Sequence, residues 1–267
     1  MTILLVTRRI VRGVGMSVQE KSLYNYIEPE LQKLLLEYGI DSTELQRKQL
    51  LQHLELLIEI NKTLNLTRIT SIDDALVLHI LDSLLPLKAC KEFIDKEKNY
   101  IDIGTGGGFP GLPLAIMSTN KSLLIDSIGK KITAVQKMID EIGLSKRVKA
   151  LKLRAEEIPT EYKNKFDFVT FRAVAKTNIL LEYAEPFLAS EGTLIVMKAN
   201  VDKIELQDAS QAAKIFGYKN VSRETFELPN DLGHREILLY KKVERSKIKL
   251  PRKTGQAKSN PFVARRN

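Results

Sequence analysis

Four glycines at 104, 106, 107 and 108, with Asp102 ahead of them and Gly111 just beyond, form the densest group of chemically committed positions in the chain. Glycine is needed where backbone turns with φ above zero, or where a ligand must lie against the main chain. YIDI before the loop reads as a buried strand, and LPLAIM after it as a helix. A glycine loop from a strand end to a helix N-terminus is the usual cradle for a nucleotide-like ligand in an open α/β sheet. Asp126 closes a second apolar strand, SLLID, 22 residues after Gly104, where a ribose-binding acid belongs. A glycine turn with no ligand would leave both acids unexplained.

Two ligand classes compete for the loop. Gly106, Gly108 and Gly111 satisfy a G-x-G-x-x-G spacing, a weak dinucleotide signal by itself. Pro110 and Pro113 flank the last glycine, where the amides of a pyrophosphate-binding helix should be free to donate. Asp102 would repel a pyrophosphate, yet could accept hydrogen bonds from an ammonium or from hydroxyls. The pattern apolar-Asp-apolar-Gly-x-Gly-x-Gly resembles the first motif of the class I S-adenosylmethionine methyltransferases, whose ligand carries a sulfonium and an amino group and no phosphate.

Away from the loop, Arg172 follows FDFVTF and Lys198 follows TLIVM, each at the end of an apolar strand, with Arg154 to Glu156 on the same rim. Singly, each cation reads as a side chain snorkelling to solvent. Together, cations on the ligand edge of a sheet favour a phosphate-bearing substrate. His79, Asp82 and Ser83 share a helix face, but residues on one helix cannot point at one another in relay geometry. They read as packing or cleft-shaping groups, and Asn65 and Arg68 in the break before them as substrate contacts. The lone Cys90 excludes an internal disulfide and fits a reducing compartment. The three histidines show no metal-ligand spacing, so no metal is expected.

These residues need a frame. Apolar stripes predict a helix over 18–38 ending at Gly39, a second capped by Asp41 or Ser42, and a third running from Ser71 to a limit at Pro86. From Asn99 strands and helices alternate, predicting a mostly parallel sheet wound on both faces, closed by two long strands near 218–228 and 235–243 around PNDLG. The fold class is therefore α/β, a Rossmann-like seven-stranded sheet with an antiparallel C-terminal hairpin. Four segments follow: an extension over 1–15, expected to be disordered; a helical cap over 16–90; the ligand-binding domain over 91–244; and a basic tail over 245–267. The tail segment from Lys241 onward holds ten Lys or Arg and one acid, so the net charge of +9 resides there. Its PRKTGQAKSNPFVARRN reads as flexible and suited to an anionic partner. No run approaches a membrane span, and the arginines after MTILLV stand in the wrong order for a secretory signal.

Taken together, NLTRIT, HILDSL, DIGTGGGFPGLPLAI, DSIGKKI, RAEEI, FRAVA, VMKA and PRKTGQAKSNP resemble the bacterial small-subunit (16S) ribosomal RNA guanine-N7 methyltransferases, the glucose-inhibited division protein B family. The resemblance covers nearly everything from about residue 16 to 262, and implies a helical cap on a class I methyltransferase fold. It implies S-adenosylmethionine as cofactor, bound along the loop glycines Gly104, Gly106 and Gly108 and at Phe109, Ala155, Glu156 and Arg172. Asp126 would hold the ribose and Asp102 would lie near the amino-acid end. VMKAN has Ala199 where many members carry glycine. Guanine N7 has a lone pair and no proton to lose, so no general base is expected. Arg172, Lys198, Asn65 and Arg68 would position RNA. The partner is small-subunit ribosomal RNA or the subunit itself, in the cytoplasm, with a monomer as the expectation. Two other readings are a nicotinamide-dependent enzyme using the same loop, and an RNA-binding ribosome-assembly factor with a vestigial cofactor site.

Overall fold

The computed structural model describes residues 18–265 apart from 70, 95 and 96, so the extension expected over 1–15 lies outside the described residues. Helix α1 (Val18–Glu37) ends at Gly39, whose φ of +61° lets its amide reach the Leu36 carbonyl and the Ile40 amide the Leu35 carbonyl. Helix α2 (Glu44–Leu64) is capped by Thr43, not by Asp41 or Ser42. Gln46 stands three residues on, and the reciprocal bonds Gln46 N to Thr43 Oγ1 (3.2 Å) and Thr43 N to Gln46 Oε1 (2.8 Å) close a capping box. The Ser42 carbonyl instead accepts from Arg47.

The third helix is broken. Ile72–Ala75 is α-helical, Leu76–Leu81 widens to a π-helix, Asp82–Leu84 returns to α, and Pro86 opens a further turn, Pro86–Ala89. Pro86 is thus no limit, because a residue without an N–H is tolerated at the first position of a turn.

Beyond it come β1 (Asn99–Ile103), α3 (Gly111–Met117), β2 (Lys121–Asp126), α4 (Gly129–Ile142), β3 (Val148–Lys152), β4 (Phe166–Arg172), α5 (Thr177–Ala184) and β5 (Leu188–Lys198). Helix α6 (Lys203–Phe216), the hairpin β6 (Tyr218–Glu227) and β7 (His234–Lys242), and a turn α7 (Gln256–Ser259) complete the chain. The sheet runs β3-β2-β1-β4-β5-β7-β6. Its first five strands are parallel, and β7 is antiparallel to both neighbours, as the α/β reading expects. Strand order reverses between β1 and β4, and the crevice at such a point is where open α/β sheets bind ligands.

Alternation along the strands sends Tyr100, Leu124, Phe168 and Ile195 to one face, and Ile101, Ile125, Val169 and Val196 to the other. The first set packs with Leu31, Leu50, Leu54, Leu57, Leu81 and Leu84, so the N-terminal helices share one continuous core with a sheet face. Gln52 on α2 also donates to the Glu141 carbonyl at the end of α4 (2.8 Å). On the other face the segment after β7 is docked: Ile248, Leu250 and Phe262 pack on the second core, and Ala257 is buried. The flexible tail expected from composition is corrected over residues 245–265, because four apolar side chains among the cations find a surface to bury against. No helix among the described residues is long and apolar enough to cross a membrane.

Candidate cofactor and acceptor site

The glycine loop leaves β1 with Gly104, Gly106 and Gly108 at φ of +79°, +59° and +95°. Gly104 and Thr105 donate to the Ile125 carbonyl at 2.8 and 3.0 Å, stitching the turn to the end of β2. A side chain on Gly104 would strike Val174 at 2.6 Å, whereas the nearest atom to one on Gly106 is the Gly104 carbonyl at 4.0 Å. Gly106 is therefore the position with open space before the main chain. Gly111 has no such room, since a Cβ there would meet Leu124 at 2.4 Å and the Asp102 carboxylate at 2.7 Å.

Asp102, expected near the amino-acid end of the ligand, instead lies wholly buried beneath the loop with both oxygens already bonded. One oxygen accepts from the Gly111 amide (3.0 Å) and the other from the Thr170 hydroxyl (2.7 Å), which itself pairs with Tyr100 (2.7 Å). Burial pushes its pKa up to about 6, against the opposing pull of bonds from Thr105, Thr170 and Gly111 and the charge of Arg172. Asp126 is placed differently. At the end of β2, its carboxylate accepts from Gly106 N (3.1 Å) and Ile128 N (2.9 Å).

These bonds decide between the ligand classes. In the first turn of α3, Pro110 and Pro113 carry no N–H, Gly111 donates to Asp102, and Leu112 donates to Gly108 O (2.7 Å). No amide of that turn remains for a pyrophosphate, so the G-x-G-x-x-G spacing does not build a dinucleotide site. An adenosyl ligand without phosphate fits: open backbone at Gly106, an acid at Asp126, and the turn Ala155–Glu157 after β3 on the same edge. Glu156 accepts from the Tyr183 hydroxyl (3.2 Å), and Ala155 is buried beside it.

Phe109 faces the cap. Its ring stacks on His53 (4.4 Å) and His79 (4.6 Å), with the Arg172 guanidinium carbon 5.4 Å from its centroid. His53 reaches the Gly107 carbonyl (3.1 Å) and His79 the Thr67 hydroxyl (2.9 Å). Burial is the main force lowering the two imidazole pKa values, to about 4 for His53 and about 3 for His79, so both are neutral near pH 7.

A cleft of about 570 Å³ opens at the carboxyl ends of β4 and β5, with Leu78, His79, Arg172, Lys198, Asn200 and Arg235 among its lining. Neither rim cation is unpaired. Arg172 donates to Asp82 (3.1 Å) and to the Leu78 carbonyl, and Lys198 contacts Glu205 (2.8 Å) and the Ala175 carbonyl (3.0 Å). Asp82 also receives Arg235 from β7 (3.1 Å), so the broken helix is clamped to two strands. Asn65 is the left-handed C-cap of α2 (φ +48°), and Asn65 and Arg68 are both exposed.

Sequence reasoning missed Arg235 and Thr170. Arg235 had a signal: in an antiparallel hairpin the start of β7 must lie beside the end of β5, and Glu236 is indeed paired with Lys198. Thr170 had none beyond an unusual hydroxyl inside an apolar strand.

A family model described as GidB, rRNA small subunit methyltransferase G, matches residues 46–235. The chain is 34% identical over 240 residues to the ribosomal RNA small subunit methyltransferase G of Lactobacillus johnsonii, covering 88% of this chain and all of the relative. The protein of the same name from Lactococcus lactis subsp. lactis is 37% identical over 236 residues, covering 87% and 98%. Among solved structures, a putative S-adenosyl-L-methionine-dependent methyltransferase from Methanococcus maripaludis superposes with a TM-score of 0.50 at 14% identity, covering 79% of this chain and 99% of that one. That likeness bears on the fold alone.

Proposed function

The chain belongs to the GidB family of rRNA small subunit methyltransferases, and on that premise we propose that it methylates guanine N7 in small-subunit (16S) ribosomal RNA. It is an S-adenosylmethionine-dependent enzyme, and the observation that carries the cofactor into this site is the first turn of α3. Every amide there is absent or already bonded, while Gly106 stands open beside Asp126.

Gly104, Gly106 and Gly108 would form the cradle, Asp126 would take the ribose hydroxyls, and Ala155 with Glu156 would border the adenine. S-adenosylmethionine, when bound, supplies an electrophilic methyl on a sulfonium. The protein's own work is then positional. N7 attacks through a lone pair and loses no proton, so no side chain need act as a base. The neutral, buried His53 and His79 suit that requirement, serving to fix Phe109 and the wall of the cleft. Arg172 and Lys198, held by Asp82 and Glu205, would orient the purine and its backbone, with Asn65 and Arg68 guiding the strand from the cap. Alignment and exclusion of water supply the acceleration. Asp102 supports the loop from below. The acceptor is RNA alone or the small subunit, in the cytoplasm, and the enzyme acts as a monomer.

The test is transfer of labelled methyl from S-adenosylmethionine to small-subunit RNA and to subunits from cells lacking this protein, followed by base mapping. Label at N7 of one guanine is expected. Label on a carbon, a ribose oxygen or an exocyclic amine overturns the proposal, as does no transfer to either substrate.

A further inference from the structure

The segment after β7 is held by specific bonds on the sheet face opposite the N-terminal helices. Arg252 donates from Nε (2.6 Å) and Nη2 to the buried carboxylate of Glu182 on α5, and its guanidinium carbon lies 4.6 Å from the Phe262 centroid. Phe262 stands edge-on to Phe216 of α6 (5.4 Å), and its carbonyl accepts from Asn178 (2.7 Å). Ala264 N donates to Asp208 (2.9 Å). Between these anchors the chain turns at Gly255, with φ of +82°, and there its amide donates to Glu156 Oε1 at 3.1 Å. The Tyr183 hydroxyl reaches the same oxygen at 3.2 Å.

Both bonds fall on one oxygen of a glutamate at the cofactor edge. Glutamate is among the side chains that lose most rotamer freedom when ordered. A carboxylate already held in one orientation gives up less of that freedom when a ligand arrives. A loose tether for RNA would need none of these anchors.

We propose that residues 245–265 are a strap that sets Glu156 for binding S-adenosylmethionine, with Gly255 as a positioning residue and Arg252 and Phe262 as the anchors that hold it in place. This rests on the reading of Glu156 as a cofactor contact given above.

The experiment is calorimetric titration with S-adenosylhomocysteine, the stable product. It compares the full chain, the chain ended after Arg252, and full-length Gly255→Pro, which deletes the amide and cannot adopt the positive φ. Each is made with Glu156 and with Glu156→Ala. The truncation and Gly255→Pro are each expected to weaken binding about tenfold when Glu156 is present, and by less than about twofold when it is Ala. Equal weakening in both backgrounds overturns the strap, because the segment then acts on the fold and not through Glu156. Unchanged affinity in both the truncation and Gly255→Pro also overturns it. If the unaltered chain takes up no S-adenosylhomocysteine, the site reading itself fails, and that result is distinct from the other two.

Discussion

Asp102→Asn tests the carboxylate that supports the loop. Asp102 has no exposed surface, and its pKa rises from 3.8 to about 6, first through burial. A carboxyl whose folded pKa exceeds its unfolded one holds its proton more tightly in the native state. Its contribution to stability is thus full below the unfolded value of 3.8, and is lost as pH rises through about 6. Between roughly pH 5 and pH 8 the loss works out at about 1.4 kcal/mol. Asparagine keeps an acceptor for the Gly111 amide, now bonded at 3.0 Å, and Thr170 can reverse its hydroxyl toward Tyr100, 2.7 Å away. The variant therefore retains the geometry and lacks the titration. Urea unfolding of both proteins across this range isolates the effect, since all other titrating groups cancel in the difference. Relative to the variant, the natural protein should lose about 1.4 kcal/mol on going from about pH 5 to about pH 8. A difference that stays flat with pH, or runs the other way, refutes the account of Asp102 as a carboxylate strained by burial.

Three further substitutions probe the surroundings. Gly111→Ala drives a Cβ to 2.4 Å from Leu124 and 2.7 Å from the Asp102 carboxylate, and should lower unfolding free energy by about 2–3 kcal/mol in urea. Asp82→Asn leaves Arg172 and Arg235 facing each other without their shared carboxylate, and about 3 kcal/mol of stability and most methyl transfer should go. Lys198→Ala still leaves Glu205 two bonds from Thr177, so the midpoint of thermal unfolding should move little. Turnover on RNA should fall about tenfold through misplaced substrate, and a loss of cofactor affinity in its place would move Lys198 to the other half of the site.

What the sequence made legible was local. The change of hydrophobic period at Asn99 marks the start of the sheet, and the hairpin around PNDLG gives its antiparallel edge, because each signal lies within a dozen residues of its structural consequence. Thr43 shows how narrow that reach is: the Gln46 partner three residues on was the better cap signal than either polar residue before it. Partners far apart in sequence stayed hidden. The ten cations from Lys241 onward mask Ile248, Leu250, Ala257 and Phe262, whose burial depends on α5 and α6, so composition alone reads them as solvated.

The same blindness bears on how RNA is attracted. Sequence placed Arg172 and Lys198 on the rim as bare cations, but Asp82 comes from the broken helix and Glu205 from α6 to meet them. Arg172, Arg235 and Asp82 together leave one positive charge, and Lys198 with Glu205 leaves none. The cleft is therefore built for orientation more than for attraction, since ion pairs already satisfied gain little from a phosphate they must share. Long-range steering of a polyanion falls to exposed cations such as Arg68, Lys253 and Lys258, outside the cleft. On this division, raising the salt should slow the encounter of enzyme and RNA while leaving the rate of methyl transfer within the bound complex unchanged.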